Sequence, residues 1–162
     1  MIPSGVLSNV ATDTPINQVR GTSFPFNAAL VDGPQPVLPT DPIYPPTDLD
    51  PSGTYLLFMI KLFDADPDTN IPVPDEDALF TLDSRQGQIA VPAPASQGKV
   101  SFVVPPAATT VADVYGNMVM KNGVQLRWSL KLFLGDGMGG VASEQIPLSG
   151  TYTVYDRSVQ VI

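Results

Sequence analysis

The chain has 162 residues, 16 acidic against 8 basic for a net charge of −8, and neither histidine nor cysteine. These absences remove the commonest general base, thiolate nucleophiles and any disulfide framework, which points away from an enzyme. An acidic balance with no Lys/Arg cluster also argues against nucleic-acid binding.

The 43% hydrophobic content can supply one core for a chain of this length without covalent staples. Eighteen prolines and an acid complement that is almost all aspartate, with Glu76 and Glu144 the only glutamates, favour turns and strands over helices. The first residues, Met1 to Leu7, show neither the basic nor the apolar region of a signal peptide. The longest apolar run, Tyr55 to Ile60, is too short to span a bilayer, so the expectation is a soluble protein without a membrane segment.

Residues 1–18 show no sustained periodicity but carry Ile2, Val6, Leu7, Val10 and Ile16. They read as an extended N-terminal arm, more apolar than a free tail, with Ile2, Val6 and Leu7 as candidate contacts to a neighbouring subunit. A domain over 19–162 follows. Thr22, Phe24, Phe26, Ala28 and Leu30 alternate with smaller or polar residues and predict a strand, which Pro25 confines to an edge or a bulge. Residues 33–52 hold seven prolines and form a stiff, polyproline-like insert. Its apolar residues, among them Val37, Leu38, Ile43 and Tyr44, make it the second candidate interface.

Thr54 to Phe63 predicts the clearest strand, with Leu56, Phe58, Ile60 and Leu62 on one face. A polar turn over Asp64 to Pro74 comes next, then alternation at Ala78, Phe80 and Leu82, a turn at Ser84 to Gly87, and a short strand over Gln88 to Val91. Lys99 to Val104 predicts another strand, with Val100, Phe102 and Val104 inward. One helical turn is expected around Thr109 to Val114, and a hairpin at Asn122-Gly123, the dipeptide that type I′ turns prefer. Val124 to Leu134 is a long strand whose inward row, Leu126, Trp128, Leu130, Leu132 and Leu134, marks Trp128 as core. After the glycine turn at Gly135 to Gly140, two strands are expected over Val141 to Leu148 and Gly150 to Arg157. Six to eight short strands at this spacing predict an all-β, single antiparallel sandwich.

Gly135-Asp136-Gly137-Met138-Gly139-Gly140 has the letters of a dinucleotide fingerprint, but a strand follows it where a helix N-terminus is required. Asp64, Asp66 and Asp68 set oxygen ligands at alternate positions, and calcium is the cation they would hold as an irregular loop site. Thr69 and Asp75 stand where an EF-hand needs glycine and a bidentate glutamate, so a solvated turn is the better reading and no cofactor is expected. Tyr44, Tyr55, Tyr152 and Tyr155 are candidate interface anchors.

Several segments together resemble a family of small Ig-like modules in tailed-phage virions, similar to the N-terminal domain of baseplate upper proteins. They are Arg20 to Phe26, Gly53-Thr54-Tyr55, Gly87 to Val91 with Gln97 to Phe102, Leu126 to Leu132 with Gly135-Asp136-Gly137, and Ile146 to Val154. The resemblance spans about residues 20–157; the proline-rich insert 33–52 and the arm depart from it. It implies an Ig-like fold and a virion structural protein, made in the host cytoplasm and placed in a tail, baseplate or fibre-attachment assembly. Its partners would be other virion proteins, in a symmetric homo- or hetero-oligomer. A capsid decoration or head-fibre protein is the neighbouring reading, and a receptor- or carbohydrate-binding module is the reading of another class.

Overall fold

The computed structural model of the chain describes residues 6–8, 14–33, 38–63, 65, 68–110 and 124–155. Among them are eight strands: β1 (Val6–Ser8), β2 (Ile16–Val19), β3 (Phe24–Val31), β4 (Tyr55–Lys61), β5 (Phe80–Asp83), β6 (Lys99–Val104), β7 (Val124–Gly135) and β8 (Val141–Tyr155). Period-2 alternation gives each long strand one apolar row, and two sheets bury these rows against one another. One sheet has the order β1-β3-β6 and the other β2-β8-β7-β4-β5. The chain is an all-β sandwich. In immunoglobulin terms β3 and β6 occupy the places of strands B and E, while β5, β4, β7 and β8 occupy C′, C, F and G in the facing sheet.

Four rings close the centre. Phe26 stacks on Phe102 within the smaller sheet at 4.8 Å, and Phe58 lies 5.8 Å from Trp128 within the larger. Phe26 meets Trp128 edge-on across the sandwich at 5.4 Å, and Phe58 meets Phe102 at 5.0 Å. Antibody domains place a B–F disulfide against a strand-C tryptophan in this region. Here Phe26 on B, Trp128 on F and Phe58 on C join the sheets by ring packing, each burial contributing about 1.5–3 kcal/mol.

Several elements differ from the sequence expectation. The arm expected over 1–18 is, in its described parts, a component of both sheets: β1 pairs parallel with β3, and β2 pairs parallel with β8 along its whole length. Ile16 is fully buried, and the Trp128 indole donates from Nε1 to the Thr14 carbonyl at 2.8 Å. Gly150 makes this entry possible, because a Cβ there would overlap the Thr14 backbone. At the other end of β2, the buried Gln18 amide donates to the carbonyls of Thr22 and Val104 and accepts from the Tyr152 hydroxyl at 2.8 Å. Tyr152 is therefore core and not an interface anchor.

The two strands expected after the glycine turn are one continuous strand. Leu130 faces Leu148 and Leu132 faces Gln145, so Ile146 and Pro147 together oppose Lys131. This bulge accommodates a proline that would otherwise break the ladder. Pro25 lies where β3 pairs with β6, beyond the stretch paired to β1, so among the described residues β3 is an edge strand at that point, as a proline favours. The strand expected over Gln88 to Val91 reduces to one bridge, Ala90 to Ser101, because the chain reaches the β6 edge at that point alone. The helical turn occupies 106–110. The remainder of the expected turn and the Asn122-Gly123 hairpin fall outside the described residues. Among the described residues no helix is long and apolar enough to cross a membrane.

Candidate functional site

The proline-rich segment is held on the sandwich at several points. Asp32 donates its N–H to Pro45 O, Thr47 to Leu30 O and Leu49 to Ala95 O, and the Thr47 hydroxyl bonds Asp32 Oδ1 at 2.8 Å. Thr47 and Leu49 are buried. Between and before these anchors the segment turns apolar side chains outward: Ile43 is 87% exposed and Leu38 59%. Tyr44, expected as an interface anchor, is half-buried, with its ring against Gly33 where no Cβ would fit. Val37 and Ile2 lie outside the described residues. Val6 and Leu7 lie within β1, beside Ala29 and Leu30 of β3. Of the proposed calcium ligands, Asp64 and Asp66 also lie outside the described residues, and Asp68 is in an exposed turn. No group of three or more metal-ligating side chains occurs among the described residues.

A second feature lies on the outer face of the larger sheet. Alternation turns Tyr55, Leu57, Met59 and Lys61 of β4 outward, beside Phe133, Lys131, Ser129 and Arg127 of β7. Met59 is nonetheless 1% exposed, so this part of the face is covered. The stretch between β4 and β5 folds back here, and Lys61 Nζ donates to Val73 O at 2.8 Å. Asp75, in the short 3-10 turn Asp75–Asp77, accepts from Lys61 at 3.0 Å through Oδ1 and from Lys131 at 2.7 Å through Oδ2. Burial works against the Asp75 charge. Hydrogen bonds from Lys131 and Lys61, together with their positive charges, outweigh it and hold the carboxyl below its ordinary value. Burial likewise opposes the Lys131 ammonium, yet its bond to Asp75 and the charges of Asp75 and Glu144 raise it. Glu144 reaches Lys131 at 3.4 Å from the exposed rim.

These groups border an open cleft of about 440 Å³, lined by the polar residues Lys61, Lys131, Asp75, Ser129 and Ser149 and by the apolar residues Pro72, Val73, Pro74 and Ile146. Further along the face, Tyr55 stacks on Phe133 at 4.3 Å and Arg85 lies 3.7 Å over the Tyr55 ring, held by a two-pronged bond to Asp83. No protein-family model matches the chain, and a search of curated proteins finds no relative. What the two surfaces do must therefore come from their own chemistry.

Sequence reasoning missed the cleft. Lys61, Ser129 and Lys131 were legible as outward positions of strands, but Asp75 sat among acids that read as a solvated turn. Only the fold-back of that turn brings Asp75 onto two strands far apart in sequence.

Proposed function

We propose that the chain is a non-catalytic structural module of a tailed-phage particle, joining neighbouring subunits in a tail, baseplate or fibre-attachment assembly. The observation that carries the joining role is Ile43, a large apolar side chain 87% exposed on a segment pinned to the sandwich just after it. An apolar group held out on anchored backbone loses little conformational entropy when a partner covers it, which favours association. The Ig-like strand order supports the likeness to small virion modules, and the two-sheet core supports a rigid block able to transmit load.

The test is immunogold labelling of purified particles with antibody to this chain, combined with complementation by an Ile43→Ser, Leu38→Ser variant. Label on the tail or baseplate, with the folded double variant absent from particles, is the expected result. Particles free of the chain would overturn the proposal.

A further inference from the structure

We infer that the cleft on the outer face of the larger sheet is a binding site for a carboxylate-bearing sugar residue, such as a hexuronic acid. The inference stands apart from the assembly role, because it uses a different surface.

The cleft has more than a loop clamp requires. One lysine on Asp75 would tie the 72–75 segment to the sheet, yet Lys61 and Lys131 both converge there, from adjacent strands. An ammonium has three donors, and the bonds of Lys61 to Asp75 and Val73 take two, while Lys131 gives one to Asp75 and a longer one to Glu144. Each cation thus keeps donor capacity for a further acceptor. Among the residues lining the cleft, two ammonium groups meet one carboxylate, Asp75, an excess of one positive charge in a molecule of net charge −8, and Glu144, outside the lining, reaches Lys131 at 3.4 Å. An anion is the group that such a point draws.

The rest of the lining selects the remainder of the ligand. Ser129 and Ser149 face one another across β7 and β8 and offer hydroxyls that both donate and accept. Pro72, Val73, Pro74 and Ile146 also line the cleft and form an apolar wall suited to the C–H face of a pyranose ring. The bulge opposite Lys131 supplies Ile146 to that wall, the re-aiming of a side chain that bulges characteristically perform. The volume of about 440 Å³ lies in the range of small-ligand sites and accepts one or two sugar residues.

Titration of the full chain, followed by amide NMR shifts, should separate the possibilities with glucuronate, glucose and acetate as probes. Saturable glucuronate binding with a Kd of about 1 mM or tighter is expected, and about tenfold weaker binding for glucose and for acetate. Lys131→Met should weaken glucuronate about tenfold, and Ser149→Ala, which leaves the Asp75 clamp intact, several-fold, with the melting temperature of the alanine variant unchanged. Raising the salt should weaken binding in the wild type more than in Lys131→Met. Equal binding of glucose would overturn the charge recognition, and equal binding of acetate would overturn the sugar recognition. Absence of saturable shifts up to about 20 mM would overturn the site altogether.

Discussion

Replacing Tyr152 by Phe should leave the fold intact and cost about 1–2 kcal/mol. The Tyr152 hydroxyl donates to Gln18 Oε1 at 2.8 Å, with Tyr152 fully buried and Gln18 only 2% exposed. Without it, that oxygen stays in the interior with neither its partner nor water. Gln18→Leu should cost more, about 2–4 kcal/mol, because it also strips the amide from the carbonyls of Thr22 and Val104. Both variants lose the same Tyr152–Gln18 bond, so the double variant should fall short of the sum by about 0.5–1.5 kcal/mol. Urea denaturation gives the energies directly. In a thermal melt each kcal/mol should appear as a shift of about 2–4 °C. Burial also raises the Tyr152 pKa above its ordinary value. A raised folded pKa means that the stability is present below the unfolded value of about 10 and declines as pH rises above it. The wild type should therefore lose stability at alkaline pH more steeply than Tyr152→Phe. A Tyr152→Phe variant within about 0.3 kcal/mol of wild type, or strict additivity with Gln18→Leu, would refute the view that this bond ties β2 into the sandwich.

Gly150→Ala should cost about 2–4 kcal/mol, since its Cβ overlaps the Thr14 backbone and must displace the entry to β2. Hydrogen exchange should show residues 14–19 losing protection before β7 does; uniform loss across both would count against this. The lowered Asp75 pKa means that its contribution is present above the ordinary carboxylate value and lost as pH falls through the folded one. Protease sensitivity over 68–78 should accordingly rise below about pH 4 in the wild type. Asp75→Asn should show that sensitivity already at neutral pH, with a global cost under about 1 kcal/mol because the carboxylate is partly exposed.

Alternation alone determined the inward rows of the long strands. Leu56, Phe58 and Ile60, and Leu126, Trp128, Leu130 and Leu132, are buried as a period of two requires, because each must leave water on one side of a sheet. The proline-rich segment, marked as a contact surface by its apolar residues, lies on the sandwich with Thr47 and Leu49 buried. What sequence could not decide were choices made between distant segments. Ile16 to Val19 is too short and mixed to announce a strand, and becomes one because β8 offers an open edge and Gly150 admits the backbone beside it. Pro147 reads as a break until two residues oppose Lys131 in a bulge. Asp75 is one aspartate among fourteen until the fold brings it onto Lys61 and Lys131. Local pattern encodes which face of a strand is apolar, whereas pairing, bulges and charge clusters depend on which strands become neighbours, and that is a property of the assembled core.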